Sequence, residues 1–252
     1  MSGAIVRAAL AAAALFCAAP AFAGRPLVVD DAPSVDAGIL ELELGVINGV
    51  PEKGGREHSL PTIALTYGVY PGLEAGIAIQ RLHSDLKGAP PVDGFADLHL
   101  NAKYNFLTVA RYDLSFAFDL KVPTAKKRLS TGRVDENFLL IATRHFDAIG
   151  VDLNFGYTVV DAPGGAKLKN RFFGGGALRY AASPAWTLVG EVYGFSRAAS
   201  GAKNEANFQV GVRYKPELAA FFDAALGRSV LSSGTVIQGT IGLTWDWRLL
   251  KF

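Results

Sequence analysis

The stretch at residues 97–106, DLHLNAKYNF, decides how this chain folds. Its odd-numbered positions are polar, and its even-numbered positions hold Leu, Leu, Ala, Tyr and Phe. A period of two is typical of a β-strand whose two faces meet different surroundings. The pattern recurs at 113–122 and 205–214: over the three stretches the apolar phase has no charge in 15 positions, and the other phase is polar or charged at 13 of 15. This separation predicts strands that divide two media.

Twelve segments show such alternation, and tight connections (70–72, 108–110) alternate between them with longer ones (48–57, 123–134, 229–233). This organisation is typical of outer-membrane barrels. The sequence therefore predicts an all-β fold, a closed antiparallel up-and-down transmembrane β-barrel of about 12 strands, with ten or fourteen as alternatives. An even number places both termini on the periplasmic side. The segments lie near 38–48, 58–69, 73–83, 94–107, 111–122, 135–146, 150–160, 169–181, 185–197, 204–215, 218–228 and 234–249.

Composition supports a membrane barrel. The 252 residues are 50% hydrophobic and 19% charged, which excludes disorder. Beyond residue 23 there is no run of 18 apolar residues, so transmembrane helices are not expected. A net charge of +2 gives no indication of nucleic-acid binding.

A soluble antiparallel β protein is the competing interpretation, because alternation alone does not tell apolar-out from apolar-in. Three features favour the barrel. Aromatic residues such as Tyr70, Tyr104 and Trp186 recur at segment ends, as membrane interfaces require. The chain ends in Phe252, the kind of residue that the barrel insertion machinery recognises, and it begins with an export signal.

Residues 1–23 read as a cleaved signal peptide: Arg7 is followed by an apolar run and by an Ala-Phe-Ala cleavage site. Cys17 lies in this leader, so no disulfide is expected after cleavage. Residues 24–36 do not alternate and carry Arg25, Asp30 and Asp31. This stretch is either a free periplasmic tail or a plug tucked into the mouth of the barrel formed by residues 37–252.

The polar phase of the strands is expected to line the lumen. A hairpin over 108–110 predicts a register that sets Asp97 opposite Lys121 and His99 opposite Asp119. Such pairs either fill a narrow lumen or form a constriction that filters a solute. The candidate lumen residues are Glu41, Glu43, Glu74, Asp97, His99, Lys103, Asp113, Asp119, Lys121, Arg179, Glu205, Arg213 and Asp223.

Two connections are rich in basic residues. Lys126, Lys127, Arg128 and Arg133 follow the fifth segment, and 167–171 holds a second basic group that includes Arg171. They are either contacts for anionic lipopolysaccharide or ordinary solvated loops. Nucleic acid is not expected as a partner, because no aromatics interleave with these charges.

Enzymatic activity is not expected. The histidines stand in no recognisable nucleophile arrangement, and no compact metal-ligand motif is present, so neither a cofactor nor a metal is predicted.

Several short motifs resemble one family. Arg25-Pro26-Leu27 with Asp30-Asp31-Ala32, the run LELELG at 40–45, Asp97-Leu98 with Lys103-Tyr104, and KVPT at 121–124 are similar to the outer-membrane transporters of the meta-cleavage pathway of phenol degradation. The resemblance spans most of 25–252 and implies a β-barrel transporter of the outer membrane.

The expected function is therefore passive uptake of small solutes, including aromatic or hydrophobic ones, through a restricted channel. The alternative is a non-conducting structural or surface-interaction barrel, and a lipid-modifying barrel enzyme is a third class.

Overall fold

The structure is a computed structural model that describes residues 24–52, 54–161, 168–216, 220–231 and 235–250. The elements within these ranges are all β-strands. No helix among the described residues has the length and hydrophobicity needed to cross a membrane. The predicted signal peptide, residues 1–23, and Phe252 lie outside the described residues.

Thirteen strands follow one another along the chain. They are β1 (Ile39–Pro51), β2 (Gly55–Tyr70), β3 (Leu73–Leu86), β4 (Val92–Phe95), β5 (Leu98–Val109), β6 (Tyr112–Val122), β7 (Asp135–Phe146), β8 (Ile149–Val160), β9 (Arg171–Ala181), β10 (Trp186–Phe195), β11 (Glu205–Tyr214), β12 (Ala220–Leu231) and β13 (Thr235–Arg248).

Each strand pairs antiparallel with its neighbour, and β1 pairs with β13 from Ile39 opposite Arg248 to Pro51 opposite Thr235. The sheet is thus closed on itself. β4 and β5 both pair with β3 and occupy one position in the ring. The predicted closed antiparallel barrel of 12 strands is confirmed.

The two faces of the sheet differ as the alternation requires. Leu153, Phe155 and Leu178 point outward and are more than half exposed. Asp97 and Asp152 point inward and are almost fully buried. This apolar-out, polar-in arrangement excludes the sandwich interpretation, in which the apolar face would be the buried one.

Aromatic side chains mark both ends of the outer wall. At the end where the chain enters β1, Trp186 and Tyr214 pack with ring centroids 4.5 Å apart. At the opposite end, Tyr157 and Phe172 are 4.8 Å apart. Such rings suit the interfaces between hydrocarbon and water, because they combine an apolar body with a polarisable edge.

The connections differ between the two ends. At the turn end, where β1 begins and β13 ends, strands are joined by short links such as Ala110–Arg111. At the loop end the links include 87–91, 123–134 and 196–204. The prediction of long links at 48–57 and 229–233 was wrong: the flanking strands extend further, so only 52–54 and 232–234 separate them.

The predicted register of the β5–β6 hairpin was also wrong. Lys121 pairs with His99 and Asp119 with Asn101, two residues from expectation. The turn lies later, at Ala110 with φ 54°, and the register shifts between Asn105 and Leu107. A bulge of this kind leaves no clear mark in the alternation.

The expected side-chain contacts nevertheless form, as diagonal cross-strand pairs. Lys121 Nζ lies 3.8 Å from Asp97 Oδ2, and His99 Nδ1 lies 2.9 Å from Asp119 Oδ1. Long side chains reach across such diagonals, so a two-residue error in register preserves the face and the charge pairing.

The outer wall allows a direct test of membrane depth. Leu226→Arg, in the middle of β12, is expected to lower the free energy of unfolding in phospholipid vesicles by about 2–4 kcal/mol, because it places a charge in hydrocarbon. Val230→Arg, near the loop end of the same strand, should cost only about 0–1 kcal/mol. Denaturant unfolding of both variants measures the difference, and equal losses would contradict this placement of the hydrocarbon.

Candidate functional site

The barrel interior contains residues 24–36, called here the N-terminal segment. Its backbone forms no strand pairing and is instead hydrogen-bonded to side chains of the wall. The amides of Val28 and Val29 donate to Glu191 Oε2 at 2.9 and 2.8 Å. The amide of Asp30 donates to Asn154 Oδ1 at 2.8 Å. Irregular backbone can be buried here only because wall side chains satisfy its polar groups.

Apolar side chains also hold the segment. Leu27, Val29 and Ala32 are buried and pack in one cluster with inward-facing residues of the wall. Burial of such side chains stabilises by roughly 25 cal/mol per Å² of apolar surface. The wall side of this cluster consists of Ala117, Leu139, Ile141, Phe173, Ala177 and Val189.

Two acids of the segment meet two bases of the wall. Asp30 Oδ2 lies 3.3 Å from Lys103 Nζ, which is also 3.5 Å from Glu74 Oε1. Asp31 Oδ2 lies 2.9 Å from Arg179 Nη1. Arg179 Nε donates to Asp152 Oδ2 at 2.7 Å. Buried charges are tolerated when they are paired in this way.

The two acids differ in their electrostatics. Burial raises the pKa of Asp30 well above its ordinary value, although the Lys103 ammonium opposes the rise. Burial acts in the same direction on Asp31, but Arg179, Lys103 and Arg213 oppose it, and the pKa of Asp31 lies below its ordinary value. The charge of Asp30 therefore depends most on its lysine.

At the other end of the segment, Arg25 lies against the opposite wall. Its guanidinium contacts both carboxylate oxygens of Asp223 and donates to Thr240 Oγ1 at 2.6 Å. Its amide donates to Glu43 Oε1 at 3.0 Å. Arg213 Nε donates to the carbonyl of Arg25 at 2.5 Å. The segment thus spans the lumen: its arginine meets an acid of one wall, and its two aspartates meet bases of the other.

A second stretch of chain lies inside the wall toward the loop end. The link between β6 and β7 folds inward, and Leu129 packs against Leu82 and Ala96. Asp97 anchors this link: its carboxylate accepts from the Ala125 amide at 2.9 Å and from Ser130 Oγ at 2.5 Å. The predicted partner Lys121 lies between Asp97 and Asp135.

Twelve of the thirteen predicted lumen residues lie in strands, on the phase that faces the lumen, and the buried Asp97 lies in the link between β4 and β5. The structure brings Glu43 and Asp223 to Arg25, Glu74 and Lys103 to Asp30, and Arg179 to Asp31. The remaining members form separate contacts: Asp97–Lys121, His99–Asp119, Asp113–His145, Glu205–Arg171, Arg213 with the carbonyls of residues 24 and 25, and Glu41 opposite Asp246.

Sequence reasoning missed several lumen groups. Glu191, which accepts both valine amides, stands in a strand whose inward positions also hold Val189, Tyr193 and Phe195, so its phase was not conspicuous. Arg171, predicted only as part of the basic group near the connection after the seventh segment, is the first residue of β9 and contacts Glu205 at 3.3 Å. The signal that could have identified these residues is whether a charged residue lies in the lumen-facing phase of its strand's alternation. The other missed residues are Glu57, Asp135 and Asp246.

The basic loop residues have a different environment. Lys126, Lys127, Arg128 and Arg133 are exposed, although Leu129 and Ser130 beside them are buried. Arg133 Nη1 lies 3.9 Å from Asp161 Oδ2.

The sequence matches the family described as uncharacterised conserved protein UCP029691 over residues 11–244. The chain belongs to this family. No curated protein matches it.

Solved structures with the same fold include outer-membrane channels and porins. The COG4313 outer membrane channel from Pseudomonas putida F1 superposes with a TM-score of 0.70 at 14% identity, covering 86% of this chain and 98% of that one. The NanC porin gives 0.58 at 11% identity, with 80% and 98% covered. The KdgM porin in complex with oligogalacturonate gives 0.55 at 11% identity, with 81% and 99% covered. At these identities the likeness shows a shared barrel fold.

The lysine between the segment and the wall offers a stability test. Lys103→Met removes the cation shared by Asp30 and Glu74 and should lower the free energy of unfolding by about 3–5 kcal/mol, because two buried carboxylates lose their partner. Adding Asp30→Asn should recover part of this loss. Lys126→Met, on an exposed loop, is the matched control and should change little. If Lys103→Met resembles the control, the pairing does not stabilise the fold.

Proposed function

We propose that the protein is an outer-membrane channel for passive passage of small solutes, closed at rest by its N-terminal segment. The observation that carries the proposal is that the segment is held in the lumen by side-chain contacts and not by strand pairing. Contacts of this kind can be lost one by one without opening the sheet. The barrel fold shared with channels and porins supports the same conclusion.

The proposed orientation follows from the two ends of the barrel. The turn end, with both ends of the barrel chain, faces the periplasm, and the loop end faces outward, as in other barrels of this kind. The segment would then enter from the periplasmic side and act as a plug. The inward link between β6 and β7 would narrow the outer mouth.

The solute class rests on the resemblance to transporters of the phenol pathway. Three inward-facing rings support it: Phe173 and Phe195 have centroids 4.9 Å apart, and Tyr193 meets Phe195 edge-on. An aromatic or hydrophobic solute could stack on such rings after the plug leaves. Selection would come from these rings and from the charged wall.

Two partners are part of the proposal. The exposed Lys126, Lys127, Arg128 and Arg133 would meet anionic lipopolysaccharide if the loop end faces outward. Phe252 would serve recognition by the barrel insertion machinery.

The second candidate function is a non-conducting structural barrel. The observation that favours it is that both the N-terminal segment and the inward link occupy the lumen. In that case the ion pairs would only satisfy buried charges. The two candidates differ in whether ions pass once the segment is free to move.

A disulfide can fix the segment in place. Val29 and Gly175 are close, since a Cβ on Gly175 would lie 2.5 Å from Val29 Cγ2. The pair Val29→Cys and Gly175→Cys is therefore within disulfide range, and the only native cysteine is Cys17 of the leader. In planar bilayers the oxidised double variant should remain closed, and dithiothreitol should restore the openings of the wild-type protein.

Val29→Cys alone is the control, and its conductance should not respond to dithiothreitol. Openings that occur equally in the oxidised and the reduced double variant would show that the segment is not the plug. A variant without residues 24–36 separates the two candidate functions: steady conductance supports the channel, and silence in this variant and in the reduced one would establish the structural barrel instead.

A further inference from the structure

The side chain of Arg25 lies in a slot that the barrel wall forms without help from the N-terminal segment. The floor of the slot is made by Gly45 on β1 and Gly242 on β13, which face each other across the two strands. A Cβ added at either glycine would overlap the guanidinium of Arg25. The absence of both side chains therefore creates a flat surface on which a planar group can lie.

The sides of the slot are polar and match a guanidinium. Asp223, the neighbour of Gly242 on β12, has a fully buried side chain whose two oxygens accept from Nε and Nη2 of Arg25 at 3.3 Å each. Thr240 Oγ1 accepts from Nη2 at 2.6 Å, and Thr62 Oγ1 lies 3.5 Å from Nη1. Each of the three guanidinium nitrogens thus has an acceptor.

The surrounding wall is acidic. Glu41 and Glu43 on β1 lie on the same face as Asp223, and Asp246 stands opposite Glu41 on β13. The nearby base Arg213 is directed to the carbonyls of the segment. When the segment leaves, it takes the cation Arg25 with it, and these carboxylates remain.

The shape and charge together specify a ligand class. A guanidinium is planar and offers paired donors to one carboxylate, whereas an ammonium is compact and cannot use both a flat floor and a two-point contact. An anion would meet Asp223 and Glu43 directly. The slot therefore favours planar organic cations.

We propose that the slot of Gly45, Gly242, Asp223, Thr240 and Thr62 is a binding subsite of the channel for guanidinium-type solutes, and that Arg25 occupies it as an internal ligand in the closed state. In the wild-type protein, binding of a solute in the slot rests on the proposed function, because the N-terminal segment must first withdraw. A solute with such a group competes with Arg25 for the slot, so binding of the solute and release of the segment favour each other.

The full-length mature chain with Arg25→Ala tests the slot without removing the segment. The probe is guanidinium chloride at low millimolar concentration, compared with methylammonium chloride and sodium chloride at the same ionic strength. Guanidinium should raise the thermal midpoint of Arg25→Ala by about 2 °C or more, because a ligand that binds only the folded state stabilises it. The other two salts should leave the midpoint unchanged, and the wild-type protein should not respond.

Two further variants make the result specific. Adding Asp223→Asn to Arg25→Ala removes the paired acceptor, and adding Gly242→Ala fills the floor; either should abolish the response. Isothermal titration of guanidinium into Arg25→Ala measures binding directly and does not depend on stability. Absence of binding, or equal binding by Arg25→Ala with and without Asp223→Asn, would overturn the proposal.

The readouts separate the two proposals. Guanidinium binding to Arg25→Ala requires only the slot and would stand if the barrel proved non-conducting. Conversely, redox-controlled openings of the cysteine pair would stand if the slot bound nothing.

Discussion

The need to pair charges inside a narrow barrel governs the rest of this structure. Twelve strands enclose a lumen between those of small filled barrels and open porins, so inward side chains from opposite walls approach one another. Lys103, Asp152 and Asp223 are all removed from water and would each be costly without a partner. The N-terminal segment supplies some of these partners, with Asp30 for Lys103 and Arg25 for Asp223. The same contacts that hold the segment inside the barrel therefore also satisfy buried charges of the wall.

The outer wall has a simpler constraint. Its side chains contact hydrocarbon and need only be apolar, with aromatic rings at the two interfaces. This explains why proteins at 11–14% identity share the barrel. The lumen is where individual residues matter, because a hydrogen bond such as that from Val29 to Glu191 depends on one particular side chain at one particular depth.

The sequence was sufficient for the strands and their faces because both follow from local alternation. The positions of Lys103, Arg179 and Asp223 on the lumen face are examples, since each lies in the polar phase of its own strand. Register was not predictable to the residue, because it depends on the turn at Ala110 and on a bulge near Phe106. The path of residues 24–36 could not be predicted from local pattern, because its contacts are with residues distant in sequence, as between Asp30 and Asn154.

The place of Arg25 has a consequence for how the ring is held together. β1 and β13 are the first and last strands, and their pairing is the seam that turns an open sheet into a cylinder. The guanidinium lies across this seam, since it touches β12 through Asp223, β13 through Thr240 and β2 through Thr62. Its binding surface does not exist until the first and last strands have met. Arg25 can therefore bind there only after the barrel has closed. Once bound, it holds strands on both sides of the β1–β13 pairing, so its contacts must break before these two strands can separate.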